Sequence, residues 1–152
     1  MILGLFETHI NVTNLERSMQ FYGEILGLEL GNFEEERRVA FYWLGGRGEA
    51  MLGIWEKPAN EVQRQHFAFR SSIEHILKAR SYLEERGIEP RNFLNNGTKQ
   101  PMVFAWMPAL AIYFQDPDGH SLEFISMIKG KARPELGVMT LDVWETLEHN
   151  EQ

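Results

Sequence analysis

A weak internal repeat constrains the fold of this chain more than any other feature. The order strand, helix and three strands occurs twice, and it places His9 and His66 at the same position of the two copies, 57 residues apart. Asn14 and Ser71 have the same spacing, and both residue types cap helix N-termini. Each histidine lies mid-strand, on the face opposite the apolar row. The repeat predicts an α+β fold of two βαβββ modules that form a curved, barrel-like mixed sheet with the helices outside.

The hydrophobic pattern also predicts where the modules begin and end. We predict a first module over residues 1–57, a linker over 58–62, a second module over 63–128 and a tail over 129–152 with a short helix. The predicted strands cover residues 5–12, 28–33, 39–44 and 50–55, then 64–70, 88–94, 110–115 and 121–127.

Two segments fall outside the repeat. The apolar stretch from Pro101 to Pro108 has no counterpart in the first module, and we expect it to plug the core or to wall a ligand cavity. The tail helix carries Trp144, which is expected to pack, and one possible partner is a second subunit.

The last predicted hairpin places two reactive side chains together. Asp116-Pro-Asp-Gly119 is a type I turn sequence, which pairs Gln115 with Ser121 and Tyr113 with Glu123. Opposed residues of antiparallel strands point to the same face, so the Glu123 carboxylate and the Tyr113 phenol lie side by side. One interpretation is a functional site, and the alternative is a surface glutamate on an edge strand.

Composition excludes several classes of protein. The net charge is −7 and no Lys/Arg-rich run is present, so neither a nucleic-acid partner nor an anionic membrane partner is expected. The absence of cysteine rules out disulfides, thiolate catalysis and cysteine-ligated metals, and it fits a cytoplasmic protein. No signal-peptide pattern and no apolar run of membrane-spanning length is seen, so we expect a cytoplasmic location.

The polar faces of the first strands and the last hairpin suggest a metal site. Two imidazoles and one carboxylate, from His9, His66 and Glu123, suit a divalent first-row metal ion with open coordination positions. The alternative is that the histidines are bystanders with no ligand role. The three other histidines are interpreted as structural or solvent-facing: His75, His120 and His149.

Two segments carry a resemblance to a known family. The stretch from His9 to Tyr22 with Leu26-Gly27, and the Tyr113-x-x-Asp-Pro-Asp-Gly-x-x-x-Glu123 hairpin, resemble the vicinal oxygen chelate superfamily over residues 5 to about 128. That group includes glyoxalase I, type I extradiol dioxygenases, fosfomycin-resistance thiol transferases and bleomycin-resistance proteins. The resemblance implies paired βαβββ modules and one metal ion bound by residues at the positions of His9, His66 and Glu123.

The chain departs from each branch of that superfamily. When the turn glycines Gly48 and Gly119 are aligned, Leu52 takes the place of the fourth ligand and base that glyoxalase I carries. The extradiol enzymes carry an acid–base histidine where this chain has Phe104-Ala-Trp106. The cationic, serine-bearing anion loop of the fosfomycin thiol transferases is not evident between Met102 and Pro108. Bleomycin-binding members lack the metal ligands, which this chain retains.

The resemblance and the residues together imply a metal-dependent enzyme. We expect one divalent ion (Zn, Mn, Ni or Fe(II)), a small-molecule substrate with vicinal oxygens, and lyase or isomerase, ring-cleavage or thiol-transfer chemistry. Tyr113 is the expected catalytic hydrogen-bond donor, and Trp55, Phe104 and Trp106 are expected pocket walls. A homodimer is expected. The alternative is a drug- or metabolite-binding resistance protein without catalysis.

Overall fold

The computed structural model describes residues 1–150 and contains two compact units. The first unit comprises Met1–Gln65 and the hairpin tip Asp116–His120, and the second comprises His66–Gln115 and the chain from Ser121 onward. Each unit has its own mixed sheet, of four and five strands respectively, and neither sheet closes into a barrel. The α+β prediction is confirmed, whereas the module boundaries stay a prediction.

The sheet of the first unit has the strand order β1-β4-β3-β2. Strand β1 runs parallel to β4, and the other neighbours are antiparallel. The side chains of β1 alternate between two faces: Ile10 and Val12 are buried on one face, and His9, which precedes Ile10, lies on the opposite face. The strands are β1 Glu7–Val12, β2 Glu29–Glu34, β3 Val39–Leu44 and β4 Ala50–Glu56.

The helix of the first unit changes type along its length. It begins after Asn14, whose side chain accepts a hydrogen bond from the Arg17 backbone, and α1 covers Leu15–Met19. The segment Gln20–Ile25 continues as a π-helix, which the sequence analysis did not predict. Phe21 and Tyr22 of this segment are both buried.

The sheet of the second unit has the order β5-β8-β7-β6-β9. Two sequence predictions are wrong here. Residues 88–94 are irregular, apart from a backbone bridge between Arg91 and Tyr113. The apolar segment after Pro101 was expected to be a loop that plugs the core or walls a cavity. It is instead the strand β6, whose backbone pairs with β7 and β9 and whose side chains are buried, as the first alternative requires. The elements are β5 His66–Arg70, α2 Ile73–Glu84, β6 Met102–Phe104, β7 Ala109–Gln115, β8 Ser121–Met127, β9 Val138–Thr140 and α3 Leu141–His149.

Local details correct two further predictions. The helix α2 is capped by Ser72 rather than Ser71, since the Ser72 hydroxyl accepts from the His75 backbone at 3.2 Å. Trp144 of α3 is 2% exposed and packs in the core of its own unit with Ile76 and Leu110. Its indole donates to the Lys129 carbonyl at 3.0 Å. The alternative that Trp144 packs on a second subunit is therefore wrong.

The last hairpin has the predicted turn and register. The Gly119 amide donates to the Asp116 carbonyl at 3.0 Å, and Gly119 has a φ of 82°, which a side chain would disfavour. Gln115 pairs with Ser121, and Tyr113 pairs with Glu123, so this prediction is confirmed. Within residues 1–150, none of the helices combines the length and the apolar character needed to span a bilayer.

Candidate metal centre

Two of the predicted ligands meet in the second unit. Strands β5 and β8 are parallel neighbours, and their register sets His66 opposite Ser121 and Ala68 opposite Glu123. The Nε2 atom of His66 lies 3.2 Å from Oε2 of Glu123. Glu123 is only 4% exposed, and its Oε1 has no hydrogen-bond partner within the described part of the chain. A buried carboxylate with one unpartnered oxygen is unfavourable unless a cation or a donor reaches it.

The hydrogen bonds of His66 determine which nitrogen is free. Its Nδ1 lies 3.0 Å from the Ser121 carbonyl oxygen, which can only accept, so Nδ1 carries the proton. In the neutral ring, Nε2 then has a lone pair directed toward the Glu123 carboxylate. Two acceptors at this distance require a proton or a cation between them. Histidines that bind metals commonly donate their other N–H to a backbone carbonyl, as His66 does. His66 and Glu123 therefore fit a divalent cation.

Tyr113 adjoins this pair as a hydrogen-bond donor. Tyr113 is paired with Glu123 across strands β7 and β8, and its ring stacks on His66 with centroids 5.7 Å apart. Burial, followed by the charge of Glu123, raises the pKa of Tyr113 far above its ordinary value. Burial also raises the pKa of Glu123, although its interactions with Tyr113 and His66 oppose that shift. Tyr113 is therefore a neutral phenol at pH 7 that can donate a hydrogen bond.

Two phenylalanines extend the aromatic surface around Tyr113. Phe93 and Phe104 meet edge to face with ring centroids 5.1 Å apart, and their centroids lie 6.3 Å and 6.5 Å from that of Tyr113. Phe104 was predicted from sequence as a pocket wall. Phe93 was missed, because residues 88–94 were interpreted as a strand. The turn residues Asn95-Asn96-Gly97 that follow it were the available signal that this segment is a loop. Trp106, also a predicted wall, is exposed.

The third predicted ligand, His9, belongs to the first unit and has both ring nitrogens occupied. Trp55 donates its indole N–H to Nδ1 of His9 at 2.7 Å, and the Nε2 atom contacts the Glu7 carboxylate. The ring lies over Gly53, where a Cβ atom would approach His9 Nδ1 to 3.0 Å. In this arrangement His9 is a neutral imidazole that accepts from Trp55 and donates to Glu7. It can bind a metal only when those contacts are released.

The strand register compares the two modules in two ways. Relative to the histidines, His9 pairs with Gly53 and His66 pairs with Ser121, so Trp55 takes the place of Glu123. Relative to the turns, Tyr42 pairs with Leu52 and Tyr113 pairs with Glu123, so Leu52 takes that place, as in the sequence alignment of the turn glycines. Leu52 is fully buried in the apolar layer of the first unit. Tryptophan, like leucine, provides no carboxylate at this position.

Among the remaining histidines, His120 forms hydrogen bonds within the first unit. His120 was interpreted as structural or solvent-facing, and it is fully buried. Its Nε2 lies 2.8 Å from the Asn11 carbonyl, and its Nδ1 accepts from the Gln65 amide at 3.1 Å. Its role is therefore structural. Across residues 1–150, no group of three or more His, Asp or Glu side chains is assembled that could hold a metal ion.

Comparison with known proteins establishes the family. Residues 4–124 match the family model of the Glyoxalase/Bleomycin resistance protein/Dioxygenase superfamily. The chain belongs to this superfamily. The resemblance seen in the sequence is thereby confirmed. Among curated relatives, Metallothiol transferase FosB of Staphylococcus haemolyticus is 29% identical over 125 residues, which cover 81% of this chain and 83% of the relative. The FosB of Staphylococcus saprophyticus subsp. saprophyticus is 26% identical over 125 residues, which cover 81% of this chain and 76% of that relative.

Two solved structures have a similar fold. The integron cassette protein HFX_CASS4, from the mobile metagenome of the Halifax Harbour Sewage Outfall, is 40% identical with a TM-score of 0.71, covering 83% of this chain and all of that one. Lactoylglutathione lyase from Agrobacterium tumefaciens is 18% identical with a TM-score of 0.61, and the match covers 82% of this chain and 94% of the lyase. At that identity, the second comparison supports the fold alone.

Proposed function

We propose that this chain is a divalent-metal-dependent enzyme that joins an external thiol to a small molecule bearing neighbouring oxygens. The buried Glu123 carboxylate, with one unpartnered oxygen beside the lone pair of His66, is the observation that carries the proposal. The FosB relatives favour thiol transfer over the other reactions of the superfamily. Since the chain has no cysteine, the thiol would come from a small-molecule co-substrate.

His66, Glu123 and His9 would hold the metal ion. The donor set of two imidazoles and one carboxylate suits zinc, manganese, nickel or iron(II) and leaves coordination positions open for substrate. His9 would join this set after its contacts with Trp55 and Glu7 are released. When bound, the metal would act as a Lewis acid that polarises the substrate oxygens.

The residues around the metal would orient the substrate and stabilise its charge. In thiol opening of an epoxide, the thiol loses its proton, a carbon–sulfur bond forms, a carbon–oxygen bond breaks, and the released oxygen takes up a proton. The neutral Tyr113 hydroxyl would donate a hydrogen bond to that oxygen as negative charge develops. Ser121 would keep His66 in the tautomer that leaves Nε2 available.

We also propose that the active form is a homodimer. If two copies exchange modules, one copy would supply His9 and the other His66 with Glu123. Light scattering of the metal-loaded protein should give twice the chain mass of 17.7 kDa. A monomer that binds a full equivalent of metal would exclude the shared site.

A binding protein without catalysis is the second candidate. The two occupied nitrogens of His9 and the aromatic surface around Tyr113 favour it, because both are compatible with capture of a small molecule. In that case, ligand would bind without any consumption of thiol.

Thiol consumption tests the proposed reaction. Metal-loaded protein would be mixed with glutathione or cysteine and either styrene oxide or fosfomycin, with free thiol followed over time and the adduct identified by mass. We expect metal-dependent adduct formation that falls at least about 100-fold in Glu123→Gln. His75→Gln, which changes an exposed histidine on α2, should retain the wild-type rate. Equal rates in wild type, Glu123→Gln and chelator-treated protein would refute the proposal.

A further inference from the structure

Three rings in the second unit form a surface that we call the aromatic wall: Phe93, Phe104 and Tyr113. Tyr113 joins the wall to the candidate metal centre, because it is paired with Glu123 across β7 and β8 and its ring stacks on His66. Phe104 is almost fully buried, whereas Phe93 is 54% exposed. One edge of Phe93 thus packs on the protein while much of its ring remains available for contact with a ligand.

The loop that carries Phe93 is held by several specific contacts. The Asn92 side chain donates to Oδ1 of Asn96 at 2.7 Å, and this oxygen also accepts from the Thr98 amide at 3.1 Å. Two backbone hydrogen bonds, of 2.7 Å and 2.8 Å, tie Arg91 to Tyr113. The exposed position of Phe93 is therefore fixed by its loop. A preorganised aromatic side chain lowers the entropic cost of binding a ligand.

We infer that the site takes a substrate with an aromatic body, which packs against the aromatic wall, and that Phe93 determines this specificity. The inference rests on the proposed function, since it assigns a substrate class to the same site. Ligand sites of this kind are mostly apolar and fix orientation with a few polar groups. The ring of the substrate would contact Phe93, and its oxygens would lie toward Tyr113 and Glu123.

Three probes of similar chemistry separate the possible ligand classes. Calorimetric titration of the zinc-loaded protein would compare 2,3-dihydroxynaphthalene with cis-1,2-cyclohexanediol, which keeps the vicinal oxygens without the aromatic ring. Methylphosphonate would represent the anionic class. We expect the naphthalene diol to bind at least about tenfold more tightly than either of the others.

Two variants test the role of Phe93. Phe93→Ala should weaken binding of the naphthalene diol about tenfold or more and leave binding of the cyclohexane diol unchanged. Phe33→Ala is the matched control, because Phe33 is a partly exposed phenylalanine on β2 of the first unit, and it should change neither affinity. The zinc content of each sample would be measured in parallel and should be equal.

The outcomes distinguish this inference from the proposed function. Tighter binding of methylphosphonate, or equal loss of affinity for both diols in Phe93→Ala, would overturn the aromatic specificity. If the protein does not bind zinc, the proposed function is refuted. The aromatic wall can then be tested by itself with 2-naphthol, an aromatic ligand whose binding needs no metal ion. Binding of 2-naphthol that is weakened about tenfold by Phe93→Ala would still support the wall, and unchanged binding would refute it.

Discussion

At the scale of single residues, Glu123 carries a cost to stability that its proposed function explains. Burial raises its pKa, so the ionised carboxylate at neutral pH is less stable in the folded chain than in water. A group with a raised folded pKa favours folding at low pH, and this contribution is lost as the pH rises through the folded pKa. A bound cation would offset this cost.

The first prediction follows from that cost. In metal-free protein at pH 7, Glu123→Gln should raise the melting temperature by about 2–4 °C, because a neutral amide can donate to Nε2 of His66. The same substitution should abolish the stabilisation that added zinc gives the wild type. Calorimetric scans with and without zinc would measure both effects. A lower melting temperature in the metal-free variant would show that the carboxylate contributes to stability rather than reducing it.

The second prediction concerns His9. The sequence predicts that it is a metal ligand, whereas in the structure both of its ring nitrogens have partners. The alternation of β1 identified its face, but the indole of Trp55 that occupies its Nδ1 comes from β4, a partner that sequence spacing could not reveal. If His9 binds zinc, this hydrogen bond is released. We expect zinc to change the tryptophan fluorescence of the wild type and to leave that of Trp55→Phe unaffected. An unchanged wild-type spectrum at full zinc occupancy would remove His9 from the ligand set.

At the scale of elements, the hairpin tip is fixed within the first unit by buried polar contacts. The Tyr22 hydroxyl donates to Asp116 at 2.8 Å, and the backbone amides of Asp118 and His120 also donate to this carboxylate. The turn and the register were predictable, because Asp, Pro and Gly each have a strong positional preference. The partners of the tip were not predictable, since they lie about a hundred residues away and depend on tertiary structure.

The third prediction tests this hairpin tip. Tyr22→Phe should destabilise the protein by about 1–3 kcal/mol at pH 7, because one Asp116 oxygen loses its donor while buried. Burial already raises the pKa of Asp116, and the hydroxyl opposes that shift, so the variant has a still higher pKa. The loss of stability should therefore grow as the pH rises from about 3 to 7. Denaturant titrations at both pH values would measure it.

Tyr42→Phe is the matched control for that experiment. The Tyr42 hydroxyl donates to the neutral Met19 carbonyl at 3.3 Å, so its removal should cost the same at both pH values. A loss in Tyr22→Phe that does not depend on pH would contradict the assigned role of Asp116.

At the scale of the whole molecule, the sequence predicted the fold class better than the individual elements. The repeat led to the α+β class, because period-two alternation and helix caps are local signals. The short strand β6 was mistaken for a loop, since three buried residues between prolines have no clear periodicity. The location of Trp144 was equally hidden, because an apolar helix face does not identify the surface that covers it. Local patterns therefore gave the ligand candidates, and tertiary structure was needed for their environment.

Metal content tests the central claim that His66 and Glu123 bind a divalent ion. Elemental analysis after zinc loading and desalting should give about one ion per chain in the wild type and in His75→Ala, and less than about a tenth of that in His66→Ala. His75 provides the control, since it is an exposed histidine outside the candidate centre. Equal metal content in wild type and His66→Ala, with both proteins folded, would contradict the assignment.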